Sequence, residues 1–359
     1  RQRYQMLQEP SEAQNDRLAA QYRKVTQYLS TMADQRDAER RRNWALPEGI
    51  TPEEYQEKQE PFRVAVARMI GYPPPGTQLE AAPQLEEIGQ DEDGTFYRVT
   101  LPLLQEGLEA YGLLIVPTAA NAKAGKPLAV AIHGGGGTPE LAAGILDRGS
   151  ANYNDMGRRL ARRGHVVWMP ACYERTSFDE EVRAQTDVHQ TLNQRAILVG
   201  STLPALDAFS ILRSTRALLG TEHVPATRAI AVGLSYGGYR TLLVTALSSL
   251  FVGCISSCIF NDRRKRSEEG HLPDLLFPNL LGIATDVEYC QLICPRPLYI
   301  EMGISDDLVP VADTRRPEEE VRRVYQALGI EERFGFETFT GGHEFSGTNA
   351  FAFLDRMGL

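Results

Sequence analysis

The chain has 359 residues, 42% hydrophobic and 24% charged, close to an average soluble protein. That length buries a large core without disulfide or metal staples, and it admits two domains or one α/β unit with an extension. Lys and Arg total 38 against 47 Asp and Glu, a net charge of -9, which argues against nucleic acid and anionic membranes as partners. There is also no uninterrupted apolar run of the roughly 18 residues that a membrane span needs.

The five cysteines include two pairs, Cys254/Cys258 and Cys290/Cys294, each with three residues between its members. A zinc knuckle has a shorter gap and further ligands, so the expectation is buried reduced thiols, and the residues read below call for neither a metal nor an organic cofactor. A soluble cytoplasmic protein is favoured, with a secreted or periplasmic one left open because the chain begins at Arg1 without a methionine.

In chain order, residues up to Arg42 are rich in Gln, Arg, Glu and Ala and contain no glycine. Leu18, Tyr22, Val25, Leu29 and Met32 recur at spacings of four and three, which predicts a helix with one apolar stripe. The simplest use of that stripe is packing on the chain's own domain. The other is contact with a second copy, a homo-oligomer through the N-terminal helix. Thr51-Pro52-Glu53-Glu54 reads as a helix start with a capping box, for a helix carrying Phe62, Val66, Met69 and Ile70 inward. Pro73-Pro74-Pro75 can neither continue that helix nor pair in a sheet. It is the predicted boundary between a helical extension, residues 1–75, and a catalytic domain, residues 76–359.

Beyond residue 95, short apolar runs alternate with helical stretches. Strands are expected at Phe96–Leu101, Tyr111–Val116, Leu128–Ile132, Val166–Met169, Ala229–Gly233, Val252–Ile259, Pro297–Met302 and Phe334–Phe339. Helices are expected at Asn152–Arg163, Thr191–Leu219, Tyr239–Leu250 and Glu318–Leu328. Strands alternating with helices predict an α/β fold, with a mostly parallel sheet flanked by helices on both faces.

Gly233-Leu234-Ser235-Tyr236-Gly237 lies between a predicted strand and a predicted helix. In that setting G-x-S-x-G describes a nucleophile elbow, in which the glycines allow a tight turn and the serine hydroxyl projects above the sheet. The Tyr236 N–H, at a helix start, would face a developing oxyanion. A serine needs a base, and the base needs an orienting carboxylate. His343, in the loop after the last strand, supplies the first. Asp306, just after the strand Pro297–Met302, supplies the second. Of the other histidines, His133 is expected to shape the glycine run that follows it, whereas His165, His189, His223 and His271 are expected to be solvated. Gly134 and Gly135, in the run His133–Gly137, are the expected further oxyanion donors. The run could also cradle a phosphate, but no Lys-[Ser/Thr] follows it.

From about Pro61 onward the sequence resembles the acetyl xylan esterase-like and dienelactone hydrolase-like branch of the α/β-hydrolase superfamily. The resemblance rests on Arg195–Leu219 (RAILVGSTLPALDAFSILRSTRALL), Leu292–Pro310 (LICPRPLYIEMGISDDLVP) and Gly341–Phe345 (GGHEF). It implies an α/β-hydrolase fold and a catalytic set of Ser235, Asp306 (not Asp307) and His343. It also implies hydrolysis of carboxylic esters, often short acyl groups on carbohydrates, so the expected partner is a small-molecule or carbohydrate ester. The His133–Gly137 run is also similar to hormone-sensitive-lipase-like esterases. Ser235-Tyr236-Gly237-Gly238-Tyr239 is similar to prolyl-oligopeptidase-type peptidases, although residues 1–75 cannot form the β-propeller those usually carry. A peptidase of the same fold and a catalytically silent binding protein are the alternatives. Segments 171–190 and 260–285 are candidate substrate-facing loops, and Arg263–Arg266 (RRKR) is expected to be a solvated charge run.

Overall fold

The computed structural model describes residues 6–146, 151–173 and 192–359. Nine strands form one sheet in the order β1, β2, β3, β5, β4, β6, β7, β8, β9. They are β1 Gln84–Gln90, β2 Gly94–Pro102, β3 Glu109–Pro117, β4 Leu128–Ile132, β5 Val167–Pro170, β6 Ala229–Leu234, β7 Phe251–Ser257, β8 Leu298–Gly303 and β9 Phe334–Phe339. The first three and the β3–β5 pair are antiparallel, and every pairing from β5 through β9 is parallel.

The parallel strands are short, continuous apolar runs because both faces of the sheet are covered. Side chains alternate between two cores. Leu128, Val130 and Ile132 of β4 enter one, together with Ala229 and Ala231 of β6. Ala129 and Ala131 enter the other with Ile230, Val232 and Leu234. The helices Leu203–Leu218, Tyr236–Leu247, Asp286–Ile293 and Arg315–Ala327 cover the first face, and Met156–Arg162 and Thr348–Arg356 cover the second.

The N-terminal region contains α1 Ser11–Asn43, α2 Pro52–Glu57 and α3 Glu60–Ile70. The capping box at Thr51 and Glu54 forms as expected. Val66 and Ile70 of α3 are fully buried in the larger core. The α1 stripe departs from its simplest expectation. Leu18, Tyr22, Val25 and Leu29 are between 49% and 73% exposed, so most of the stripe is not covered by its own domain. Among the described residues, α1 docks through its C-terminal part: Arg40 pairs with Glu288, and Trp44 packs on Phe62 and donates to the Ile283 carbonyl.

Other expectations need correction. The helix expected over Thr191–Leu219 is two, Asn193–Leu198 and Leu203–Leu218. Gly200 turns left-handed between them, and Thr202 caps the second with Pro204 in its first turn. His165 is buried, not solvated, and its Nδ1 donates to the Pro127 carbonyl. Arg263 and Arg266 of the expected solvated run are buried as well. Arg263 makes a bidentate pair with Asp286, and Arg266 donates to the Leu308 carbonyl. His271 is exposed and His223 half-buried against Tyr97, while His189 lies outside the described residues. All five cysteines are buried, and none of them is in a disulfide. Among the described residues, no helix is long and apolar enough to cross a membrane.

Candidate active site

The Ser235 turn joins β6 to the helix Tyr236–Leu247 in a single residue. Ser235 sits at φ 59°, ψ -126°, a left-handed conformation that an L side chain adopts only under constraint. The constraint is visible in the flanking glycines. A Cβ on Gly233 would lie 2.3 Å from the Gly237 carbonyl oxygen, and one on Gly237 would lie 2.1 Å from that of Ile132. Backbone bonds at both ends, from Ser235 N–H to Ser257 (2.8 Å) and from Tyr239 N–H to Ser235 (3.0 Å), hold the turn. Tyr236 is the first helical residue, so its N–H belongs to the open first turn of the helix.

The loops after β8 and β9 are tied together where the carboxylate and the imidazole meet. Ile304 and Ser305 donate backbone N–H groups to Phe339 and Gly341, each at 2.9 Å. The approach is so close that a Cβ on Gly303 would come within 2.0 Å of the Gly342 carbonyl oxygen. Within this paired loop His343 Nδ1 lies 2.8 Å from Asp306 Oδ2. Asp306 Oδ1 accepts the N–H groups of Leu308 and Val309. Burial alone would raise the Asp306 pKa, but the His343 bond and these two donors outweigh it and hold the carboxyl below its ordinary range. Asp307, next in sequence, is exposed.

Glu301, buried in β8, anchors the other side of the histidine loop. It accepts the Ser257 hydroxyl at 2.6 Å and the N–H groups of Ser346 and Gly347 at 2.9 Å each. Cys258 adds a thiol bond to the Glu344 carbonyl, 3.3 Å. Donor atoms of Cys258, Asp306 and His343 lie within 4.8 Å of one another, the geometry of a candidate metal site. Burial pushes the Cys258 thiol up to about 12, and Asp306 and His343 bond each other, so the set reads as an acid–base pair with a protonated neighbour.

The glycine run after β4 closes the site from a third side. Nε2 of His133 accepts the Cys172 N–H at 3.0 Å, which places its proton on Nδ1, 2.8 Å from the Gly134 carbonyl oxygen. The ring thus shapes the loop, as its position predicted. Gly134 N–H is donated to the Tyr153 hydroxyl at 3.0 Å, so of the two expected glycine donors, both of which line the cavity, Gly135 is the one with no N–H bond among the described residues.

Ser235, His343, Tyr236 and the Gly134–Gly136 loop line one cavity of about 590 Å³ with Asn152, Tyr153, Asp274 and Leu308. Asp274 is the contribution of segment 260–285. Most of segment 171–190 lies outside the described residues. Tyr153 was not legible in the sequence, because nothing ties a tyrosine nineteen residues from Gly134 to its amide. Beneath the elbow, Arg240 pairs with Asp207 at 2.6 Å and donates to the Tyr236 carbonyl at 3.0 Å. Asp207 also receives the Tyr173 N–H at 2.7 Å.

No protein-family model and no curated protein sequence matches the chain. Solved structures do. A candidate acetyl xylan esterase from Bacteroides fragilis superposes with a TM-score of 0.64 at 17% identity, over 82% of this chain and 78% of its own. A methylesterase gives 0.63 at 18%, over 91% and 68%. A glucuronoyl esterase from Solibacter usitatus gives 0.60 at 14%, over 87% and 97%. The chain has the α/β-hydrolase fold. Ser235, Asp306 and His343 follow strands β6, β8 and β9 of that fold in the order Ser…Asp…His.

Proposed function

We propose that the chain is a serine hydrolase that cleaves carboxylic esters through Ser235, His343 and Asp306. The observation that carries this reading is the Ser235 elbow opening into a cavity that His343, bonded to the buried Asp306, also lines. A merely structural serine has no use for a strained turn beside an oriented imidazole. His343 takes the proton from Ser235 as the serine oxygen attacks the ester carbonyl. Asp306, held ionised by its donors, keeps the imidazole in the tautomer that accepts at Nε2 and stabilises the imidazolium. The N–H groups of Tyr236 and Gly135 stabilise the tetrahedral oxyanion, with Gly134 fixed by Tyr153 as the loop's anchor. His343 then protonates the leaving alcohol, and water releases the acyl group by the same steps in reverse.

The cavity also favours a substrate class. Its lining among the described residues is Gly, Tyr, Leu, Asn, Ser and His with one carboxylate, Asp274, and no Arg or Lys. Such a lining suits a short, uncharged acyl group on a hydroxyl-rich alcohol, of which an acetylated carbohydrate is the leading example. The known structures sharing this fold include carbohydrate-directed esterases, which agrees with that choice. The test is an assay panel of aryl acetates, longer acyl esters, acetylated sugars and prolyl peptide amides with wild type and Ser235→Ala. Cleavage of short esters by wild type alone supports the proposal. Preferential cleavage of the amides, or no cleavage at all, removes it.

A further inference from the structure

Helix α1 carries an apolar seam that its own chain leaves uncovered. Among the described residues, its polar contacts with the folded body begin at Asp34, which pairs with Arg264. N-terminal to that point Leu18, Tyr22, Val25, Tyr28 and Leu29 are exposed. A helix held only at its last turns gains little from propensity alone, and most helical stability comes from burying an apolar face. The seam also runs into a groove of about 470 Å³ beside the body, where Leu29, Met32 and Ala33 face Leu276, Phe277 and Leu280.

We propose that α1 is a dimerisation helix whose seam pairs antiparallel with that of a second copy, with the twofold axis near Val25. Three observations favour another α1 as the occupant. The alternation of four and three over Leu18, Tyr22, Val25, Leu29 and Met32 is the repeat of a helix–helix seam. The positions flanking it, Ala19, Gln21, Thr26, Tyr28, Ala33 and Gln35, are all uncharged. The charges Asp16, Arg17, Arg23 and Lys24 lie outside them, so a like helix meets no like charge and can approach closely over the small residues.

Antiparallel pairing brings the partner's Leu18 turn alongside Met32, which lines the groove, and symmetry fills both grooves at once. A parallel pair would crowd both folded bodies at the same end of the helices and leave the grooves open. The exposed side chains amount to roughly 600 Å² of apolar surface per copy, hence about 1,200 Å² across a twofold, the lower bound for a stable interface.

Sedimentation velocity and light scattering of the full chain at micromolar concentration test this. Wild type is expected at twice the mass of one chain. Val25→Glu with Leu29→Glu changes two side chains that are exposed in the single chain, so its fold should survive. That variant should run as a monomer, its dissociation constant raised by at least about a hundredfold. Hydrogen exchange over residues 18–29 should be slow in wild type and fast in the variant, with the rest of the chain unchanged. A wild-type chain that stays monomeric over that range overturns the proposal. So does an unaltered dimer in the variant, or protection over residues 18–29 that persists in it.

Discussion

His343 and Asp306 meet through Nδ1 and Oδ2 at 2.8 Å, with the carboxylate wholly buried and the imidazole 20% exposed. The asymmetry suits an acid that orients and a base that must reach substrate. Because the second carboxylate oxygen is bound by the Leu308 and Val309 amides, Asp306 cannot rotate away without losing both. Replacing Asp306 by Asn should therefore lower kcat by about 10⁴-fold, since an amide donor would favour the wrong imidazole tautomer. The exposed Asp307→Asn should stay close to wild type, and steady-state kinetics on a short aryl ester separates the two.

Tyr153→Phe removes the hydroxyl that accepts the Gly134 N–H. The glycine loop loses its anchor while the substrate surface is nearly unchanged. The expected result is a fall in kcat of about tenfold to a hundredfold with little change in KM. A change confined to KM would show that Tyr153 serves binding instead.

Asp207→Asn takes from the fully buried Arg240 the carboxylate that it pairs with at 2.6 Å, beside its bond to the Tyr236 carbonyl. Breaking one partner of a buried pair costs about 3–5 kcal/mol, which urea unfolding would register directly. Residual activity per folded molecule should also fall, because the pair supports the helix start beneath the elbow.

His165 predicts an acid limit on stability. Burial pushes its pKa down from 6.5 to about 4, even though the Pro127 carbonyl favours the charged form. The unfolded chain therefore binds a proton that the folded chain refuses. Stability from this group is full above pH 6.5 and is lost as pH falls toward about 4, by about 3 kcal/mol in all. His165→Asn should flatten that part of the stability–pH curve; an unchanged slope would assign it to other groups.

Much of this architecture could be read from the residues. The parallel strands declare themselves as short apolar runs because both faces are buried, and β4 and β9 fall where the pattern places them. Ser235, Asp306 and His343 are legible because each sits at a strand end beside glycines that permit close backbone approach. Strand β1 has no such mark, because Gln84–Gln90 is a polar edge strand with no buried residue. The solvated reading of Arg263–Arg266 failed because partners distant in sequence decide whether a charge can be buried, and Asp286 is such a partner. His165 is buried as a neutral ring against the Pro127 carbonyl, a backbone partner that no side-chain pattern marks. Tyr153 acts through its hydroxyl on a backbone amide, a contact without a sequence pattern.

The proposed chemistry requires Ser235 to be an activated nucleophile. Its most direct test is reaction with a fluorophosphonate, followed by mass spectrometry of the modified peptides. Wild type should take up one phosphonyl group per chain, on Ser235, with complete loss of ester hydrolysis; His343→Ala should react far more slowly and Ser235→Ala not at all. Modification elsewhere, or a Ser235→Ala chain that still hydrolyses esters at the wild-type rate, would contradict it.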